Sequence, residues 1–89
     1  MVEVLQGSGF RRAYKKLQRN QKAAVDDAVE AILENPALGE MKLGDLAGVQ
    51  VYKFQCVKQQ FLLAYEYDPA TCLLLLVGTH ENFYQELKR

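Results

Sequence analysis

The residues best equipped for chemistry stand together in Gly78-Thr79-His80-Glu81-Asn82-Phe83-Tyr84. His80 is the single histidine of the chain. An imidazole ordinarily titrates near pH ~6.5, so it can give or take a proton at neutral pH. Tyr84 comes four residues later, on the same face as His80 if the segment is helical. It can stack on a planar group or donate a hydrogen bond. Each residue also has a plainer use. His80 can simply bond a backbone carbonyl or cap a helix. Tyr84 can pack in the core with its hydroxyl at the surface. Glu81 and Asn82 suit the first turn of a helix.

Metal chemistry is not expected. Cys56 and Cys72 form no CxxC pair, and one histidine leaves too few ligands for zinc. Both cysteines fall on predicted strands and are expected to be reduced, buried and inert, with a disulfide between them as the alternative. No cofactor is expected.

The element that must position His80 is the apolar run Cys72–Val77, closed by Gly78. Such a run reads as a strand buried on both faces, hence as the centre of a sheet. Met1–Gln6 alternates and predicts a short strand. Gly7, Ser8 and Gly9 break it, with Ser8 as the expected helix N-cap. Phe10, Ala13, Tyr14 and Leu17 share one helical face. Asn20 ends that helix or caps the next, which runs from about residue 21 to 34 with Ala24, Val25, Ala28, Val29, Ile32 and Leu33 on its apolar face. A short joint between two amphipathic helices predicts an antiparallel hairpin. Asn35-Pro36 stops it.

Residues 37–48 show no period and read as a loop. Val49–Val57 and Gln60–Tyr67 alternate and are joined by a turn at Lys58-Gln59. Asp68-Pro69-Ala70-Thr71 is a second turn. These strands and Cys72–Val77 form an antiparallel meander. A short helix follows over Glu81–Lys88. The expected class is α+β in the order β-α-α-β-β-β plus the terminal helix. An N-terminal strand and an antiparallel helical hairpin pack on an antiparallel sheet whose other face is partly free.

The length of 89 residues fits one domain, 1–89, and an apolar content of 49% supports a real core. No cationic segment followed by an apolar core opens the sequence, and no apolar run is long enough to span a bilayer. A cytoplasmic location without membrane contact is expected. Net charge is zero but unevenly laid out. Arg11, Arg12, Lys15, Lys16, Arg19 and Lys22 crowd the first helical region, while Asp26, Asp27, Glu30, Glu34, Glu40 and Asp45 follow. These are either two solvated surfaces that attract one another or a partner-binding face.

This order of elements resembles the RelE/ParE superfamily of toxins from bacterial type II toxin–antitoxin modules. FRRAYKKL (Phe10–Leu17) has the paired basic residues on an apolar-faced helix. GDLAGVQVYKFQ (Gly44–Gln55) and QQFLLAYEYD (Gln59–Asp68) stand where the family has a Leu-x-Gly element, a strand with basic residues and a strand ending near a tyrosine. GTHENFYQELKR (Gly78–Arg89) looks like the family's terminal segment. The resemblance covers nearly the whole chain.

It implies one of two activities: ribosome-dependent cleavage of messenger RNA, as in RelE-like members, or binding and poisoning of DNA gyrase, as in ParE-like members. It also implies a cognate antitoxin. Metal-independent RNA cleavage needs a base for the 2′-hydroxyl, an acid for the leaving 5′ oxygen and cations for the phosphate. On the resemblance, His80 is the acid or base, Tyr84 positions substrate and Lys53 steadies the phosphate. Lys58, Lys88 and Arg89 are further phosphate contacts. Arg11, Arg12, Lys15, Lys16 and Arg19 dock an antitoxin or nucleic acid, antitoxin first, since antitoxins are often acidic. Two departures favour the gyrase alternative. Leu62 stands where many RelE-like toxins carry arginine, and the chain is neutral rather than strongly basic. An inactive toxin-fold binding protein is the third reading.

Overall fold

The computed structural model describes residues 2–88. The chain forms β1 (Glu3–Gln6), α1 (Ser8–Lys15), α2 (Arg19–Glu34), β2 (Glu40–Met41), β3 (Gln50–Cys56), β4 (Gln59–Tyr67), β5 (Thr71–Thr79) and α3 (Phe83–Leu87), with single 3₁₀ turns at Pro36–Leu38 and Gly44–Leu46. One five-stranded sheet runs in the order β1-β5-β4-β3-β2. The expected α+β class and the antiparallel meander β3-β4-β5 are present. The sheet is mixed rather than wholly antiparallel, because β1 pairs with β5 in parallel, Glu3 opposite Thr71. Among the described residues no helix is long and apolar enough to cross a membrane.

The deepest strand is β4, not β5. Phe61 to Tyr65 are all buried, because β4 is the middle strand of five and is covered on both faces. On β5, Leu73 and Leu75 are only half-buried, since its outer neighbour is the four-residue β1. A bulge explains why Cys72–Val77 does not alternate. Tyr65 pairs with Leu74 and Ala64 with Leu76, so Leu75 is the extra residue. Leu74 then packs toward the helical layer, and Leu76 toward the opposite face. The strand also runs through Gly78 to Thr79, two residues past the expected end at Val77.

Ser8 is not the cap of α1; it is the first helical residue, and Gly7 is the cap. The chain must step from β1 directly onto β5 here. The Gly7 amide donates to the Leu74 carbonyl at 2.8 Å, and a Cβ at Gly7 would lie 3.1 Å from that oxygen. Helix α2 begins at Arg19, two residues earlier than expected. Gln18 and Gln21 form a reciprocal capping box, the Gln18 amide donating to Gln21 Oε1 at 2.8 Å. Asn20 therefore lies inside the helix. Tyr14 Oη donates to Asp26 Oδ1 at 2.8 Å and fastens α1 to α2. That bond holds the Tyr14 phenol above its ordinary pKa. Val25 and Ile32 of α2 are fully buried against the sheet. Each such side chain contributes about 1.5–3 kcal/mol.

Residues 37–48 are more structured than a loop, since they hold β2 and a 3₁₀ turn. The tie is Tyr65, fully buried, whose hydroxyl donates to the Pro36 carbonyl at 2.6 Å and accepts from the Gly39 amide at 2.9 Å. Gln50 Nε2 reaches the same Pro36 carbonyl at 2.7 Å. Both cysteines are free and buried, and burial pushes both thiols up in pKa.

The β3–β4 turn is Val57-Lys58, one residue earlier than expected, since Cys56 pairs with Gln59. Val57 has φ of 60°, a left-handed conformation that a β-branched residue adopts at a cost of about 1–2 kcal/mol. Val57 is also half exposed, so it loses little by replacement. Val57→Asn is expected to stabilise the domain by about 1 kcal/mol and to raise the thermal midpoint by roughly 4–8 °C in calorimetry.

Candidate functional site

The face of the sheet away from α2 carries an apolar floor of Val49, Val51, Leu62, Ala64 and Leu76, and Phe83 of α3 closes it. Residues on that face alternate with the helix-facing ones along each strand. The register places Lys53 beside Leu62 and Leu62 beside Gly78 in one row across three strands. Adjacent strands lie about 4.8 Å apart, so the Lys53 backbone is roughly 10 Å from that of Gly78. Leu62 is fully buried in the middle of the row, and the charge in the row therefore comes from its edge.

His80 leaves β5 immediately after Thr79 and is exposed. The expected helix over Glu81–Lys88 is shorter. Glu81 and Asn82 form a turn, Asn82 has φ of 60°, and α3 starts at Phe83. Asparagine tolerates this left-handed geometry better than most residues. The His80 carbonyl accepts from the Phe83 amide at 3.2 Å. The helical spacing used to join His80 to Tyr84 therefore does not apply, yet the turn brings the rings together. Their centroids are 5.7 Å apart, edge to face at 74°. Tyr84 also meets Phe83 edge-on at 5.5 Å, which seats it on the apolar floor.

Two further residues belong to this face. The sequence reads Lys42, together with Leu43 and Leu46, as pinning residues 37–48 to the body, and places neither it nor Glu40 at the site. Lys42 Nζ lies 5.3 Å from the centre of the Tyr84 ring and 2.6 Å from Glu40 Oε1. The Lys42 side chain is only 23% exposed and that of Glu40 72%. The Glu40 carboxylate holds the Lys42 ammonium above its ordinary pKa against the opposing effect of burial. Lys42 in turn holds Glu40 below the usual carboxylate range, with Lys53 adding to the effect. The signal in the sequence was Glu40-Met41-Lys42, an alternation too short to stand out as a strand.

The other basic candidates are scattered. Lys58 is exposed in the β3–β4 turn. Lys88 sits at the end of α3, 3.9 Å from Asp45 Oδ2, with both side chains exposed. An exposed pair of that length contributes little. Arg89 lies outside the described residues. Arg12 and Lys16 line a groove of about 720 Å³ between α1 and α3 that also touches Leu75, Gly78 and Glu86. Arg11, Lys15 and Arg19 are exposed and do not line it. Among the described residues no three His, Cys, Asp or Glu side chains converge to hold a metal ion.

The geometry has known counterparts. Over 91% of this chain and 99% of the matched chain, the fold superposes on the RelBE toxin–antitoxin complex of E. coli with a TM-score of 0.71 at 17% identity. For the RelBE2 toxin–antitoxin complex of Mycobacterium tuberculosis the TM-score is 0.75 at 24% identity, over 89% and 98% of the two chains. For YafQ of E. coli it is 0.69 at 13% identity, over 94% and 99%. At these identities the likeness is one of fold. No curated protein matches the sequence. The family model described as the ParE-like toxin of type II bacterial toxin–antitoxin systems matches residues 4–88, and the chain therefore belongs to that family, within the RelE/ParE superfamily of toxins.

Proposed function

We propose that this toxin acts as a messenger RNA endoribonuclease on the ribosome, held in check by a cognate antitoxin. The supporting observation is the convergence of His80, Tyr84 and the Lys53 row on one face of the sheet. In this reading the 2′-hydroxyl attacks the adjacent phosphorus and the bond to the 5′ oxygen breaks, leaving a 2′,3′-cyclic phosphate and a 5′-hydroxyl. His80 carries one of the two proton transfers, either from the 2′-hydroxyl or to the leaving oxygen. Tyr84 stacks on a base or orients the phosphate. Lys53 offsets the charge that grows on the phosphate oxygens. The groove lined by Arg12 and Lys16, with apolar Leu17 and Leu87 beside them, suits an acidic amphipathic segment of the antitoxin.

The buried, uncharged Leu62 at the centre of the face favours the second reading, in which the same surface binds gyrase. One culture tests both. The toxin is induced without antitoxin, and messenger RNA 5′ ends and trapped gyrase–DNA complexes are measured together. New RNA ends at defined codon positions are expected. Intact messages with trapped gyrase would move the activity to a protein interface. Unimpeded growth with neither signal would identify an inactive relative.

A further inference from the structure

The ribonuclease reading names one cation, Lys53, for a doubly substituted phosphate. The edge strand β2 supplies a second one in an unusual setting. Glu40 pairs with Val51, and the Lys42 amide donates to the Val49 carbonyl at 2.9 Å. Glu40 and Lys42 are thus in step with Val51 and Val49, which face the apolar floor. Lys53 is two residues beyond Val51 on that same side of β3. The Glu40 carboxylate is therefore bonded to one ammonium group at 2.6 Å, and the register puts Lys53 one step further along the same face, where its charge helps to hold that carboxyl below its usual range.

The two members of the ion pair are held very differently. Lys42 is packed along Tyr84 and is only 23% exposed, so its position is fixed by the site. Glu40 is 72% exposed and, among the described residues, its ion pair is with Lys42 alone, so it can swing out without disturbing the core. A carboxylate and a phosphate present the same kind of anionic acceptor at the same charge-assisted distance. An anion that displaced Glu40 would rest beside Tyr84, whose ring also meets the His80 ring at 5.7 Å.

Resting on the ribonuclease reading, we propose that Lys42 and Lys53 form a two-cation seat for the scissile phosphate, and that Glu40 occupies this seat in the free protein as a built-in competitor. Lys42 is then a substrate contact, and Glu40 sets how tightly substrate binds. A role confined to tying β2 to α3 has a different signature. Loss of either partner would then weaken the site alike. In the seat, the two losses have opposite signs.

The test uses the purified chain and a fluorescently labelled, non-cleavable 2′-O-methyl hexanucleotide of mixed sequence, read by anisotropy at low salt. Lys42→Ala is expected to weaken binding roughly tenfold, Lys42→Arg by no more than about threefold, and Glu40→Gln to tighten it about three- to tenfold. Lys22→Ala, which removes an equal charge from α2, controls for net charge, and thermal melts confirm that each variant folds. Equal weakening by Lys42→Ala and Glu40→Gln, no change in either, or no binding by a wild-type protein that cuts ribosome-bound messages, would each overturn the seat and leave the ribonuclease intact. Trapped gyrase with uncut messages would instead remove the reading on which the seat rests.

Discussion

Replacing His80 by alanine is expected to lower messenger RNA cleavage by about 10²- to 10⁴-fold, the usual contribution of a positioned acid or base. The same change should leave folding nearly untouched. His80 is exposed, and its ring meets that of Tyr84 in a T-shaped contact. Single-turnover cleavage of ribosome-bound message, beside a thermal melt, separates the two effects. Tyr84→Phe retains the ring and removes the hydroxyl, whereas Tyr84→Ala removes both. A loss confined to Tyr84→Ala would assign stacking; an equal loss in both would assign the hydroxyl. Unchanged cleavage and growth arrest in His80→Ala and Tyr84→Phe together would exclude both residues from the chemistry.

The largest effect on stability is expected at the joint between Tyr65 and Gly39. Tyr65→Phe leaves the Gly39 amide without its partner in a buried site, at a cost of about 1–3 kcal/mol. The Pro36 carbonyl is less affected, since Gln50 still donates to it. Gly39→Ala meets the problem from the other side. A Cβ at Gly39 would press on the Tyr65 hydroxyl and lie 2.7 Å from Cε1 of its ring. The ring is fully buried and cannot retreat, so overpacking of about 1–3 kcal/mol is expected. Each kilocalorie should lower the midpoint by roughly 4–8 °C. The two changes share one contact, so in the double variant they should sum to about 0.5–2 kcal/mol less than separately. Strict additivity in chemical denaturation would show that Tyr65 and Gly39 act independently.

Where a period was long enough to count, the sequence was a good guide. Helix α2 follows from apolar residues at helical spacing and β3 and β4 from alternation, and Asn35-Pro36 marks the helix end correctly. What was hidden depended on partners distant in sequence. The docking of β1 beyond β5 depends on a parallel pairing across most of the chain, whereas the central place of β4 was already implicit in the meander. The bulge at Leu75 depends on pairing with β4. Gln18 can serve as a cap only because Gln21 reciprocates, and glutamine is a weak cap signal by itself. The site was partly legible. His80 and Tyr84 were joined by an assumed helix, and a left-handed turn at Asn82 makes the same contact. Lys42 escaped because its neighbour Tyr84 lies on an element half the chain away. The basic run Arg11–Arg19 divides, with Arg12 and Lys16 facing the groove and Arg11, Lys15 and Arg19 facing solvent.

The parallel pairing of β1 with β5 bears on when this protein can become dangerous. Glu3 finds its ladder partner at Thr71, so the sheet's outer strand waits for nearly the whole described chain to be synthesised. Contacts this far apart in sequence are slow to form, because the loop must close before any pairing offsets its entropy. The helical hairpin can form first, but β5 and the turn that carries His80 leave the ribosome late, followed among the described elements by α3 alone. A chain interrupted in mid-synthesis would hold the scaffold without the end proposed to carry the chemistry. If the proposed site is the active one, activity is expected only once translation of the domain is almost complete, which leaves that interval for an antitoxin to be present.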